Sequence, residues 1–112
     1  MTEHEQREIA SLIHHRLAEV DAAEHAAKLT RARIERSPGD HPDQADAAFH
    51  REAARAASTR RAARAARLRS ALHRMDRPDF GRCCVCGDAI PVGRLRADPG
   101  ARRCPACLAP ES

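Results

Sequence analysis

The chain is poor in the residues that usually build a core. Among 112 residues there are two aromatics, Phe49 and Phe80, with no Trp or Tyr. No long apolar run occurs, which excludes a membrane-crossing helix. No apolar stretch follows Met1, so a secretory leader is not expected and the cysteines are expected to be reduced thiols in the cytoplasm. A large hydrophobic core is excluded on length and composition alone. Stability must come from long helix pairing, a metal or a partner. The shortage of aromatics also removes the stacking platforms of single-strand nucleic-acid binders.

Against that background, four cysteines stand out. Cys83-x-x-Cys86 and Cys104-x-x-Cys107 are separated by seventeen residues, the spacing of a four-thiolate zinc site. Each short pair can aim two sulfurs at one ion, and the span lets the pairs face each other. Four thiolates close the tetrahedron, so the expected zinc is single and structural, and no catalytic residue is assigned. A disulfide pair or unconnected core cysteines are the alternatives. Cys84 is a fifth cysteine without ligand spacing. None of the seven histidines is spaced to join the cysteine pairs, and most are expected on helix surfaces.

Helical pattern fills the first two thirds. Ile9, Ile13, Val20, Ala23, Ala27 and Ile34 form a heptad-like seam flanked by Leu12 and Leu17. Ser37-Pro38-Gly39 predicts a stop near Arg36. A second helix is expected from an Asp40 cap, with Asp43 near the positive end of the dipole. It is rich in alanine, which has the highest helix propensity and lets a partner approach closely. Leu68, Leu72 and Met75 add an apolar stripe, and Pro78 is the predicted stop. Two equal helices of about 50 Å each, joined by a short turn, predict an antiparallel hairpin. The expected architecture is mainly α: a two-helix coiled-coil hairpin over residues 1–77 with an acidic tip near 38–46, then a four-cysteine finger over 78–112.

Charge is segregated along this plan. Residues 2–36 carry seven acids and six bases, whereas residues 51–77 carry nine arginines against Glu52 and Asp76. Between them lie Asp40, Asp43 and Asp46 with no Lys or Arg. The arginines are expected to point outward. Such a face can stay solvated, grip phosphates or complement an acidic partner, and weak non-specific nucleic-acid affinity is expected of it.

The finger reads Phe80-Gly81-x-Cys83-x-x-Cys86-Gly87, then Ile90-Pro91, Arg94-Leu95-x-Ala97-x-Pro99 and Cys104-x-x-Cys107. It resembles the TraR/DksA-type zinc-finger family of RNA polymerase regulators. Full-hairpin members carry an acidic tip of the form Asp-x-x-Asp-x-Ala, matched by Asp40-His41-Pro42-Asp43-Gln44-Ala45. A second frame, Asp43 to Ala48, includes Asp46. The resemblance implies a regulator that binds RNA polymerase as a monomer and inserts its hairpin into the secondary channel to modulate initiation. Asp40, Asp43, Ala45 and Asp46 are its candidate tip residues. Aspartates at a helix start are also ordinary caps, worth roughly 0.5–2 kcal/mol.

Family members that respond to the alarmone ppGpp use basic residues near the finger. Here Leu108 follows the last cysteine and Asp98 precedes Pro99, so a strong alarmone site is not expected; Arg60, Arg67 and Arg94 are the candidate alarmone or polymerase contacts. Two other functions fit the residues: a transcript-cleavage-type factor using the same channel, and a basic zinc-ribbon DNA-binding or scaffold protein. None is an enzyme in its own right.

Overall fold

The computed structural model of the chain describes residues 1–36 and 44–108. Four helices follow in order: α1 (Glu3–Glu35), α2 (Gln44–Arg74), α3 (Val92–Ala97) and α4 (Pro105–Leu108). No strand forms among the described residues; a single antiparallel bridge joins Arg82 to Ala89. Among them, too, no helix is long and apolar enough to cross a membrane. The chain divides into two compact units, Met1–Leu17 with Ala66–Ser112, and Ala18–Ala65. The expected Ser37-Pro38-Gly39 stop and Asp40 cap lie outside the described residues.

In the first unit, α1 starts from a reciprocal cap. Thr2 Oγ1 accepts the Glu5 amide at 3.1 Å while the Thr2 amide donates to Glu5 Oε1 at 2.9 Å. This satisfies two donors that a helix start leaves open. One turn later Ile9 and Ile13 are fully buried. They share one core with Leu68 and Ala71 of α2 and with Ile90, Leu95, Ala101, Cys83 and Cys104 of the finger. The first turns of α1 therefore pack on the last turns of α2 and on the finger together.

Polar contacts fix α3 on that core. Arg16 Nη1 donates to the Ala97 carbonyl at 2.8 Å and Nη2 to that of Arg96 at 3.3 Å, capping carbonyls that a helix end leaves open. Arg96 pairs with Glu8 at 3.0 Å. Leu95, between them, is buried.

α2 ends at Arg74, four residues before Pro78. Beyond Arg74 the amides of Arg77, Phe80 and Arg82 each bond back three residues, at 2.9, 3.1 and 3.1 Å. Pro78 has no N–H to continue a four-residue ladder and disfavours helical geometry at Arg77. Tight three-residue turns take over before the ring is reached.

The second unit corrects the expected seam. Val20 and Ala65 are buried there, but Ala23 is exposed and Ile34 is 58% exposed. Val20, Ala27 and Ile34 repeat strictly by seven, and a straight helix drifts by ~20° per heptad, which carries Ile34 off the contact. Ala27 of the expected seam is half-buried, and Glu24, Arg31 and Ala32 join it there in place of Ala23 and Ile34. On α2, Arg61 turns inward rather than out: its Nε donates to Glu24 Oε2 at 2.6 Å. Ser58 Oγ donates to Glu24 Oε1 at 3.0 Å, and Arg31 Nη2 lies 3.7 Å from the same oxygen. The small alanines leave room for this polar pairing between the helices.

The Arg61 hydrogen bond, helped by Ser58, holds the Glu24 carboxyl below its ordinary 4.5 against the effect of burial. A depressed folded pKa stabilises the protein above the unfolded value, and that contribution is lost as pH falls through the folded one. Between about pH 6 and pH 3, wild type should thus lose more resistance to urea than Glu24→Gln; equal losses would show that the carboxylate contributes nothing. In the same assay near neutrality, Ile13→Ala should cost about 3 kcal/mol by leaving a cavity, and Ile34→Ala less than about 0.5 kcal/mol.

Candidate metal centre

The first knuckle is shaped by backbone bonds. The Cys83 amide donates to the Asp88 carbonyl at 2.7 Å, and the Gly87 amide to the Cys83 carbonyl at 3.0 Å. Closing this turn places Gly87 at φ +79°, a conformation glycine adopts without the Cβ clash other residues meet. The Val85 amide points at Cys83 Sγ, 3.4 Å away. The second knuckle opens α4, where the Cys107 and Leu108 amides donate to the Cys104 carbonyl at 3.1 and 3.0 Å. A bond from the Cys84 amide to the Arg102 carbonyl, 2.8 Å, ties the two knuckles together.

These turns bring the sulfurs of Cys83, Cys86, Cys104 and Cys107 within 4.8 Å of one another. Cys86 and Cys104 are 3.7 Å apart. With zinc–sulfur bonds of ~2.3 Å, a regular tetrahedron spaces its sulfurs by about 3.8 Å. The donor set and its spacing thus fit one zinc ion. Cys83 and Cys104 are buried, Cys107 half-buried and Cys86 exposed. All six histidines within the described residues are exposed and none joins the group.

The thiols are electrostatically unequal. The backbone amides of Cys86 and Cys104, with that of Val85, pull Cys83 down to about 6 against the opposing effect of burial. Cys107 is pushed up to about 12 by the sulfurs of Cys104 and Cys83. At Cys86 the Asp88 amide favours the thiolate, but Cys83, burial and Cys104 outweigh it and the net shift is upward. Cys83 is prepared as an anion, and Cys86 and Cys107 resist joining it. A divalent cation at their centre stabilises all four as thiolates, so its binding releases protons. No ligand position stays open, and the ion's role is structural.

The other predicted site residues are scattered. Asp40 and Asp43 lie outside the described residues. Ala45 and Asp46 are exposed in the first turn of α2, and Arg60 is exposed further along it. Arg67 makes a two-pronged pair with Asp98, at 3.0 and 2.9 Å. Arg94 lies 4.0 Å from the same carboxylate, and its buried Nε has no hydrogen-bond partner among the described residues. The Asp98 carboxyl is held below its ordinary range: burial opposes this, but the Arg67 bonds and the charges of Arg67 and Arg94 prevail. Asp98 as the partner of both candidate cations, and Arg16 as the cap on α3, escaped the sequence reading. Arg94 and Asp98 stand four residues apart on one helical face, the one signal that could have found that pair.

The full chain should carry one zinc by elemental analysis, and Cys84→Ser should keep it. Cys104→Ser should lose it. Chelation should lower the melting temperature and the helical circular dichroism, because ligation energy in small sites is folding energy; an unchanged melt after metal removal would exclude a structural ion.

Comparison with known proteins supports this assignment. Residues 78–112 match the family described as the prokaryotic dksA/traR C4-type zinc finger. The transcription factor DksA2 from Pseudomonas aeruginosa has a similar structure, with a TM-score of 0.85 and 26% sequence identity over 96% of this chain and 82% of that one. No curated protein matches the sequence. Residues 78–112 are thus similar to the dksA/traR C4-type zinc finger, and the fold that carries them is similar to that of the transcription factor DksA2.

Proposed function

We propose that this protein is a cytoplasmic transcription regulator that binds RNA polymerase and acts through its secondary channel, as a monomer and without catalysis of its own. The observation that carries the reading is the similarity to transcription factor DksA2 along 96% of the chain, together with the dksA/traR finger at 78–112. Helices of 33 and 31 residues are long enough to reach into a narrow channel. Asp40 and Asp43, with Ala45 next to them, act at its tip, and Asp46 extends the acidic run. Carboxylates there would perturb basic protein groups or a magnesium-bound centre. Arg60, Arg67 and Arg94 contact the polymerase surface.

Single-round transcription from a ribosomal RNA promoter with the host polymerase tests this. Wild type should change the output, and Asp40→Asn/Asp43→Asn should lose most of that change at equal polymerase occupancy. Binding without any effect on output would make the chain a docking factor, and absence of binding would overturn the reading.

A further inference from the structure

The first unit holds a concave pocket of about 290 Å³ beside the sulfur cluster. Its wall carries Arg74, Arg77, Arg82 and Arg102 against the Asp79 carboxylate and the Cys83 sulfur, one of the four metal-binding thiolates. The backbone bonds of Phe80 to Arg77 and of Cys84 to Arg102, at 3.1 and 2.8 Å, hold the segments bearing these side chains. Arg82 Nη1 donates to the Gly87 carbonyl at 3.2 Å, and Arg74 Nη1 to Ser70 Oγ at 2.7 Å. The nearby ion pairs use other residues: Asp98 takes Arg67 and Arg94, and Glu8 takes Arg96. Arg74, Arg77 and Arg102 join none of these.

Gathering cations in a recess works against folding. Burial, and then the charges of Arg102, Arg67 and Arg77, lower the Arg74 pKa. Arg74 is half-buried while Arg77, Arg82 and Arg102 are exposed around it, and like charges gathered at one concave place attract an anion. Guanidinium forks match phosphate oxygens two at a time.

We propose that this arginine-walled pocket beside the metal centre binds the phosphate group of a small ligand. Its volume lies at the low end for ligand sites, which suits a phosphate or pyrophosphate-sized group and not a rail for a nucleic-acid backbone. The site is independent of the polymerase reading, since its lining residues all come from the first unit of this chain.

The test is calorimetric titration of the full zinc-loaded chain, without polymerase, at constant ionic strength. The probes are inorganic phosphate, pyrophosphate and a short single-stranded oligonucleotide. Saturable binding of phosphate or pyrophosphate is expected. Arg74→Gln/Arg102→Gln should weaken it about ten-fold or more, since charge-assisted bonds to phosphate are among the stronger ones. Arg77→Gln, exposed and outside the core, is measured in parallel in case the double variant loses zinc, and should also weaken binding. Arg55→Gln on the second unit should leave it unchanged. Equal affinity in Arg77→Gln and wild type overturns the proposal. So does binding of the oligonucleotide with both small anions inert, which would mark a nucleic-acid surface instead.

Discussion

The chain has too little apolar bulk to fold around side chains alone, and the metal ligands make up the deficit by belonging to the core itself. Cys83 and Cys104 lie in the same buried cluster as Ile9, Ile13, Leu68 and Leu95, and they are also two of the four sulfurs grouped within 4.8 Å. Zinc ligation and hydrophobic packing are therefore one event. Closing the tetrahedron positions Ile90, Leu95 and Ala101, and these cover the helix turns that carry Ile9, Ile13 and Ala71. Binding energy of a structural zinc is folding energy, and here it reaches the paired helix ends as well as the finger.

The second unit solves the same shortage differently. With Val20 and Ala65 as its buried apolar residues, it pairs Glu24 with Ser58 and Arg61. Partly exposed pairs of this kind add modest stability. Their geometry nonetheless constrains the pairing: shifting α2 along α1 by one turn would leave the Glu24 carboxylate without its Ser58 and Arg61 donors. That is the register role best attested for polar groups at helix contacts. Alanine contributes by leaving space, since a larger residue beside Ser58 or Arg61 would hold the helices too far apart for bonds of 2.6–3.0 Å.

The zinc ligands were legible in the sequence because knuckle spacing is a covalent constraint, carried whole by two Cys-x-x-Cys pairs and the span between them. The end of α1 at Glu35 falls beside the Arg36 to which the sequence pointed. The seam beyond Val20 was misread because periodicity on one helix does not report its partner's choices: Glu24 faces inward only because Arg61 and Ser58 are there to meet it. The same limit applies to Asp98 and Arg16, whose partners lie 31 and 81 residues away. The small helices α3 and α4 were missed for another reason. Six and four residues long, they have no stability of their own and form because the finger's core and the cysteine turns hold them.

These long-range pairs also sort the arginines. Arg67 and Arg94 converge on Asp98, whose carboxylate they share with the Gly100 amide as a further stabilising donor. An anion approaching those two guanidiniums must displace a resident carboxylate, and the pair's own geometry opposes it. Around the recess of Arg74, Arg77, Arg82 and Arg102, Asp79 is the one carboxylate in the wall and the Cys83 thiolate lies beside it, so four guanidiniums face two anionic groups. Net charge along the chain conceals the difference, since Arg67 of the first group and Arg74 and Arg77 of the second lie in the same basic stretch. Partner geometry decides it: a cation already matched to an acid is a structural tie, and a cation crowded by its own kind is where an external anion gains most.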